Sequence, residues 1–231
     1  IRAKAPLRLS FAGGGTDIPP YPEMEGGCVL SATINKYAYG TFAPRHDRSI
    51  RIDSLDYGLS VNYHADEPLA YDGKLGLVRA AIARFQTDDF TGLDLLLHSE
   101  APPGSGLGAS SSLMVAVVGL LKESQGLALT DYEIAELAYT IERVDVGISG
   151  GMQDQYASTF GGFNFIEFLG DRVIVNPLKI SPDISNELEH NLLLCYTGSP
   201  RLSARIIDDQ VERYKTGDVD TLQHLRTLKQ L

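Results

Sequence analysis

Apolar and polar positions alternate along the first third of the chain at a two-residue spacing. The pattern is clearest over residues 29–42, where Tyr37, Tyr39 and Thr41 sit among aliphatic neighbours, and it recurs in short runs at 50–52 and 59–63. β-branched and aromatic residues in such alternation predict strands joined by turns. The spacing then changes. Leu75, Val78, Ala81, Ile82 and Phe85 recur on one helical face, and residues 93–97 return to a strand-like run that Pro102-Pro103 ends. Residues 113–121 are apolar on all sides, which predicts a helix buried all round. Thr130 and Glu133 form a capping-box pattern opening a helix predicted to run through Arg143, with Ile134, Leu137, Ala138 and Ile141 as its stripe. A strand pair is predicted at 162–168 and 173–175. The texture shifts around Pro177 and Pro182, followed by a predicted strand at 191–196 and a helix at 202–214 carrying Ile206, Ile207 and Val211 on one side. Strands and helices alternate without regular βαβ spacing, so the expected class is α+β, with a domain boundary near residue 180.

Composition narrows this picture. At 231 residues the chain is long enough for one large domain or two small ones, and 43% hydrophobic with 22% charged residues excludes a disordered or collagen-like chain. Twenty Lys+Arg against 30 Asp+Glu leave a net charge of −10. That balance argues against nucleic acid as a partner, since affinity for phosphate backbones comes mainly from basic side chains. An anionic substrate would need local positive groups working against the overall field. The two cysteines, Cys28 and Cys195, suggest neither a disulfide framework nor a zinc knuckle, although a single bridge between them stays open. No apolar run long enough for a membrane span occurs and no signal-peptide pattern opens the sequence, so a cytoplasmic protein without a membrane partner is expected.

The richest segment is the run from Pro102 to Ser112, with Gly104, Gly106 and Gly108 between a predicted strand and the buried helix. Glycines there let backbone N–H groups approach a ligand, and a helix N-terminus adds partial positive charge, which together suit a phosphate. Alone, the same residues make a tight turn capped by Ser110. No P-loop pattern is present. Gly104-x-Gly106-x-x-Ala109 fits the dinucleotide fingerprint only formally, because the second strand with its acidic end is missing. Gly147-x-Ser149-x-Gly151 matches a hydrolase nucleophile elbow, yet follows a helical stretch where that elbow needs a strand. Five scattered histidines offer no ligand spacing.

Glu142 ends the capped helix, and Asp154 follows twelve residues later within Gly150-Gly151-Met152-Gln153-Asp154-Gln155. Phosphoryl transfer needs a metal for the nucleotide phosphates and a group to orient or deprotonate the attacking hydroxyl. Mg²⁺ takes only one or two protein oxygens, a task for which Glu142 and the Ser110 hydroxyl are suited, leaving Asp154 for the hydroxyl. By spacing alone, Glu142 reads rather as a solvated helix end and Asp154 as an N-cap. Near the start, residues 4–17 read as a strand running into the turn Gly13-Gly14-Gly15-Thr16-Asp17, where a fixed carboxylate beside glycines suits sugar hydroxyls, although alone it reads rather as a glycine turn with a polar cap.

Taken together these segments resemble the galacto-, homoserine, mevalonate and phosphomevalonate (GHMP) kinase superfamily. Ala5-Pro6-Leu7-Arg8 with Gly13 to Asp17 is similar to its first motif, Pro103 to Ser112 to its second, and Glu142 with Asp154-Gln155 to its metal and base pair. The Gly-Gly-Gly-Thr-Asp turn, Gly151 to Tyr156, Gly161 to Phe168, and Tyr196-Thr197-Gly198 with Arg201-Leu202-Ser203 look most like the branch of D-glycero-D-manno-heptose 7-phosphate kinases. The resemblance implies an ATP- and Mg²⁺-dependent enzyme phosphorylating the anomeric hydroxyl of a sugar phosphate, with an L-fucose kinase-like enzyme or a non-catalytic sugar- or nucleotide-binding relative as alternatives. It implies a domain like ribosomal protein S5 domain 2 over residues 1–180, and the start of a ferredoxin-like domain over 181–231. Asp154 and Arg8 would be catalytic, and Asp17 would bind the sugar together with Thr16, Gly15 and Gly151. Pro103, Gly104, Ser105, Gly106, Leu107, Gly108, Ala109, Ser110 and Ser111 would wrap the ATP phosphates, with Ser110 and Glu142 holding Mg²⁺. Arg45, Arg79 and Arg201 are candidates for the substrate's own phosphate. Departures are Ala109 for the family's first serine, Gly14-Gly15 where galactokinases carry Glu-His, and the absence of the family's third motif, which makes the chain an expected piece of a longer kinase.

Overall fold

The computed structural model describes residues 1–67, 73, 75–87, 90–195 and 203–230. A seven-stranded sheet forms its frame: β1 (Arg2–Ala12), β2 (Gly27–Pro44), β3 (Ser49–Ser54), β4 (Leu59–His64), β5 (Leu93–Ser99), β6 (Phe163–Leu169) and β7 (Arg172–Pro177). The order is β4-β3-β5-β2-β6-β7, with β1 paired to β2 off this path. β2 is long because it serves three partners. Its residues 38–41 pair with β1 and β5 at once, and its residues 30–32 with β1 and β6, so β5 and β6 share the edge away from β1. All pairs are antiparallel except β3 with β5, whose crossover contains α2 (Gly76–Arg84). This arrangement is the expected mixture of helices with a largely antiparallel sheet.

Helices α3 (Ala109–Ser124), α4 (Asp131–Tyr139) and α5 (Gln153–Phe160) pack against one another, with α3 and α5 on β1 and β2. α3 is the buried helix read from the sequence: Met114, Val117, Val118 and Leu120 have no exposed surface. Its neighbours Ile50, Ile52, Leu93 and Leu97 come from the sheet and Ala81 and Ile82 from α2, forming the main core. A second cluster, around Val29, Tyr156, Ile166 and Phe168, sits under α5. The capping box at Thr130 and Glu133 is formed as expected, with each residue's side chain bonded to the other's backbone.

Two expectations change. The helix predicted to run regularly through Arg143 becomes a π turn over Thr140–Asp145, and its last bonds run from Val146 N–H to the Ile141 carbonyl and from Ile148 N–H to that of Glu142. The predicted strand at 191–196 does not form within the described residues. Its first residue ends α6 (Pro182–Asn191), and 192–195 are irregular with Leu193 95% exposed, pairing with no strand among the described residues. Tyr196, Thr197, Gly198, Arg201 and Leu202 lie outside the described residues. α6 buries nothing; it is set by Ser181, whose hydroxyl accepts from Ile184 N–H, and by Pro182 in its first turn.

α7 (Ser203–Lys215) and α8 (Val219–Gln230) form a hairpin that returns to the start of the chain, where Tyr214 and Leu225 pack on Tyr21 of α1 (Tyr21–Glu25). Cys28 and Cys195 are both free thiols. No helix among the described residues is long and apolar enough to cross a membrane.

Candidate active site

A cleft of about 360 Å³ opens where β1, the glycine turn, the π turn and the loop before α5 meet. Its centre is the pair Arg8 and Asp154. Arg8 Nε and Nη2 both stand 2.6 Å from Asp154 Oδ1, while Nη1 donates to the Gly106 carbonyl at 2.7 Å. Arg8 N–H also donates to the Leu107 carbonyl at 3.1 Å. The β1 register shifts between Pro6 and Arg8, an irregularity of the kind that re-aims a side chain out of the regular pleat. Asp154 lies in the first turn of α5 without capping it, because Met152 occupies the cap position and no side chain caps the helix.

The glycine turn meets its expectation in part. Gly104, Gly106 and Gly108 have φ of 78°, 78° and 74°, in the left-handed region that side chains disfavour. Gly108 is the N-cap of α3 and no side chain caps the helix, so Ser110 does not play that part and the first-turn N–H groups stay available. Pro103, Gly104, Ser105, Gly106, Gly108, Ala109, Ser110 and Ser111 line the cleft. Leu107 does not, as its side chain packs with Leu7, Ala38 and Ala101 and so anchors the turn to β1 and β2. Ser105 Oγ is buried without a partner.

Glu142 is 2% exposed, so it is no solvated helix end. Its Oε2 accepts from Ser111 Oγ and Gln155 Nε2, each at 2.7 Å. Oε1 has only longer contacts, to Ser110 Oγ at 3.4 Å and Arg143 Nη1 at 3.5 Å. The two oxygens therefore differ: one is tied into the core network and the other faces the cleft with weak partners. Among the described residues no group of three or more His, Cys, Asp or Glu converges on a point. A hard cation that keeps most of its waters fits one carboxylate oxygen beside one hydroxyl, and Oε1 with Ser110 Oγ is such a donor set.

Asp17 is fully buried and accepts three hydrogen bonds, from Gly15 N–H at 3.2 Å, Gln153 N–H at 2.9 Å and Gln153 Nε2 at 3.1 Å. Burial raises its pKa above the ordinary carboxylate value, with the Asp154 charge adding to the rise and the backbone donors opposing it. Gly151 lies against it, where a Cβ would stand 2.0 Å from Asp17 Oδ2. Thr16, expected at the sugar site, is turned away from the cleft. It is fully buried, and its hydroxyl bonds the Gly13 and Cys28 carbonyls at 2.8 and 2.9 Å, which closes the turn onto β2. Gly15 likewise contributes backbone and does not line the cleft.

Three residues that hold the site carboxylates and their loop had no role assigned from the sequence. Gln153 holds Asp17, and Gln155 holds Glu142. Arg143 lies under the loop 148–151, donating at 3.4 Å to the carbonyls of Ile148, Ser149 and Gly151. The Gln-Asp-Gln run was the available signal for the first two. Arg143 follows Glu142 directly, and a regular helix would have turned it away. Arg45 is paired to Asp47 and Asp94, and Arg79 stacks over the Tyr63 ring; neither lines the cleft, and Arg201 lies outside the described residues.

A strand, a glycine turn and a helix N-terminus set against a carboxylate paired to arginine make an arrangement suited to binding an anion beside a proton acceptor. The chain belongs to the GHMP kinase family. The family model for the GHMP kinases N terminal domain matches residues 76–162. The chain is 46% identical, over its whole length and 68% of the relative's, to a D-glycero-alpha-D-manno-heptose 7-phosphate kinase of Campylobacter jejuni. It is 32% identical to a bifunctional fucokinase/GDP-fucose pyrophosphorylase of Arabidopsis thaliana, covering 23% of that protein. The crystal structure of a D-glycero-D-manno-heptose 1-phosphate kinase from Bacteroides thetaiotaomicron superposes with a TM-score of 0.80 at 39% identity, over 99% of this chain and 74% of that one.

Proposed function

We propose that this GHMP-family sugar kinase transfers the γ-phosphoryl group of ATP to the anomeric hydroxyl of D-glycero-D-manno-heptose 7-phosphate. The product would be the 1,7-bisphosphate, for nucleotide-activated heptose and surface polysaccharide synthesis. The Arg8–Asp154 pair carries the reading, since it ties a carboxylate suited to the attacking hydroxyl to the backbone of the phosphate turn. A binding protein that did no chemistry would have no use for that coupling.

In this reading the ATP phosphates rest on the N–H groups of the turn from Gly104 to Gly108 and of the first turn of α3, which favours anions in an otherwise acidic protein. Beyond the turn the cleft continues between Tyr57, Leu75, Leu77 and Val78, an aromatic and aliphatic slot suited to a planar base. Ser110 Oγ and Glu142 Oε1 would hold Mg²⁺, which when bound draws charge from the phosphate oxygens. Asp17 accepts from sugar hydroxyls, held rigid by Gln153 and given room by Gly151. Asp154 orients the attacking hydroxyl and takes its proton, while Arg8 faces the charge on the transferring group. ATP places the enzyme in the cytoplasm. The family's domain division, an S5 domain 2-like unit over 1–180 and the start of a ferredoxin-like unit over 181–231, is supported by the sheet ending with β7 at Pro177.

Asp17 sets a pH dependence. Its ionised form is the hydroxyl acceptor, and burial makes it hold its proton to a higher pH than an exposed aspartate does. Acidification is therefore expected to raise KM for the sugar in a window above the ordinary aspartate range, with KM for ATP moving less. Equal movement of both KM values would remove Asp17 from the sugar site.

Phosphorus NMR with Mg-ATP and separate sugars tests the whole reading. Heptose 7-phosphate should yield a new anomeric phosphate. Turnover of heptose 1-phosphate, which the name of one relative suggests for that protein, would give the same bisphosphate by phosphorylating the other end of the sugar. Turnover of fucose would keep the mechanism and change the substrate. In the same assay Glu142→Gln should raise the Mg²⁺ concentration for half-activity by about tenfold or more.

A further inference from the structure

α7 reaches the cleft from the other end of the chain. Ile207 lines the cleft, Gln210 Nε2 donates to the Gly15 carbonyl at 2.9 Å, and Tyr214 is buried against Tyr21. Positions 207, 210 and 214 fall on one helix face, so the same stripe that docks the helix also meets the substrate turn. The docking is specific. The Tyr21 and Tyr214 rings meet edge to face at 5.7 Å, and Arg226 of α8 pairs with Glu25 of α1 at 2.6 Å. Lys229 Nζ adds a bond to the Glu25 carbonyl.

Gly15 is the joint between this helix and Asp17. Its carbonyl accepts from Gln210, and its N–H donates to Asp17 Oδ1. Asp17 is fully buried, so the donors around it set where its carboxylate stands. Any swing of the Gly13–Asp17 turn therefore moves or unpairs the carboxylate. Thr16 closes the turn on the β2 side through the Gly13 and Cys28 carbonyls, and Gln210 is the side-chain tie at Gly15.

We propose that Gln210 is a positioning residue for the sugar: it fixes the turn that presents Asp17, and α7 with Ile207 forms the wall of the sugar subsite. The inference rests on the reading in which Asp17 binds the sugar hydroxyls. A misplacement of about 1 Å at a binding group costs up to about 10²-fold in turnover efficiency, so one amide suffices to matter.

Gln210→Glu keeps the size of the side chain but replaces the donor with an acceptor facing the Gly15 carbonyl. With D-glycero-D-manno-heptose 7-phosphate as the varied substrate, KM should rise about tenfold or more, while KM for ATP and the melting temperature stay close to wild type. Gln210→Ala should do the same, and Gln210→Lys, which restores a donor, should recover part of the loss. An unchanged sugar KM in Gln210→Glu would overturn the proposal. So would equal rises in both KM values with a lowered melting temperature, the signature of a role confined to docking α7. Asp17→Asn measured alongside separates the two levels. If it leaves the sugar KM unchanged, the assignment of Asp17 has failed; if it raises that KM while Gln210→Glu does not, only the role of Gln210 has.

Discussion

Asp154→Asn is expected to lower kcat by about 10²–10⁴ while leaving the protein folded and able to bind ATP. Both close contacts of Arg8 fall on Oδ1, so Oδ2 is the oxygen left for a substrate hydroxyl. An asparagine keeps the shape of the side chain, and its carbonyl can still accept from Arg8. The atom then turned to the hydroxyl is an NH₂ group, which neither takes a proton nor accepts a hydrogen bond. The ground-state complex is therefore preserved and the loss falls on the chemical step, so kcat and kcat/KM should fall together. Stopped-flow or quenched turnover, with ATP binding measured by calorimetry, checks this. A kcat within tenfold of wild type would show that Asp154 only holds Arg8 and the Gly106 carbonyl in place.

Gly151→Ala should come next in size, and for a different reason. A Cβ at this position would stand 2.0 Å from Asp17 Oδ2 and 2.5 Å from its Cγ, far inside contact distance. Asp17 cannot step aside freely, since Gly15 and Gln153 hold it from three directions and it is fully buried. Either the carboxylate or the loop 148–151 must move, and Arg143 is bonded to three carbonyls of that loop. Overpacking of this kind costs about 1–3 kcal/mol of stability. A displacement of about 1 Å at the sugar subsite adds up to about 10²-fold in kcat/KM. Urea denaturation and sugar-dependent kinetics check the two effects separately. Lowered stability with an unchanged sugar KM would mean that the loop 148–151 gives way and Asp17 keeps its place.

Local pattern carried most of the secondary structure. The alternation over 29–42, the all-round apolar run over 113–121 and the Thr130–Glu133 box each depend on residues within a few positions, and each formed where expected. Over 191–195 the predicted strand does not form, since an apolar run becomes a strand only through a ladder with a partner, and local pattern does not supply the partner. The helix through Arg143 forms but widens into a π turn over Thr140–Asp145, with Ile141 and Glu142 buried, a departure that apolar spacing does not signal.

At the site, the sequence by itself determined the chemistry on offer: the glycine turn before a buried helix, the carboxylates Asp17, Glu142 and Asp154, and Arg8. Residue type and spacing supplied the candidates, and their expected roles came from the resemblance of three ordered motifs to the GHMP kinases, since a glycine turn or a lone carboxylate is locally also a plain turn or a helix cap. Only the tertiary structure decided which of these groups face one another. It paired Arg8 with Asp154 across 146 positions, turned Thr16 into the core, and brought in Gln153, Gln155, Arg143 and Gln210. Those outcomes depend on which buried donor finds which acceptor. Most polar groups taken out of water find a partner, and here the partner is chosen by the packing of distant elements rather than by neighbours in sequence.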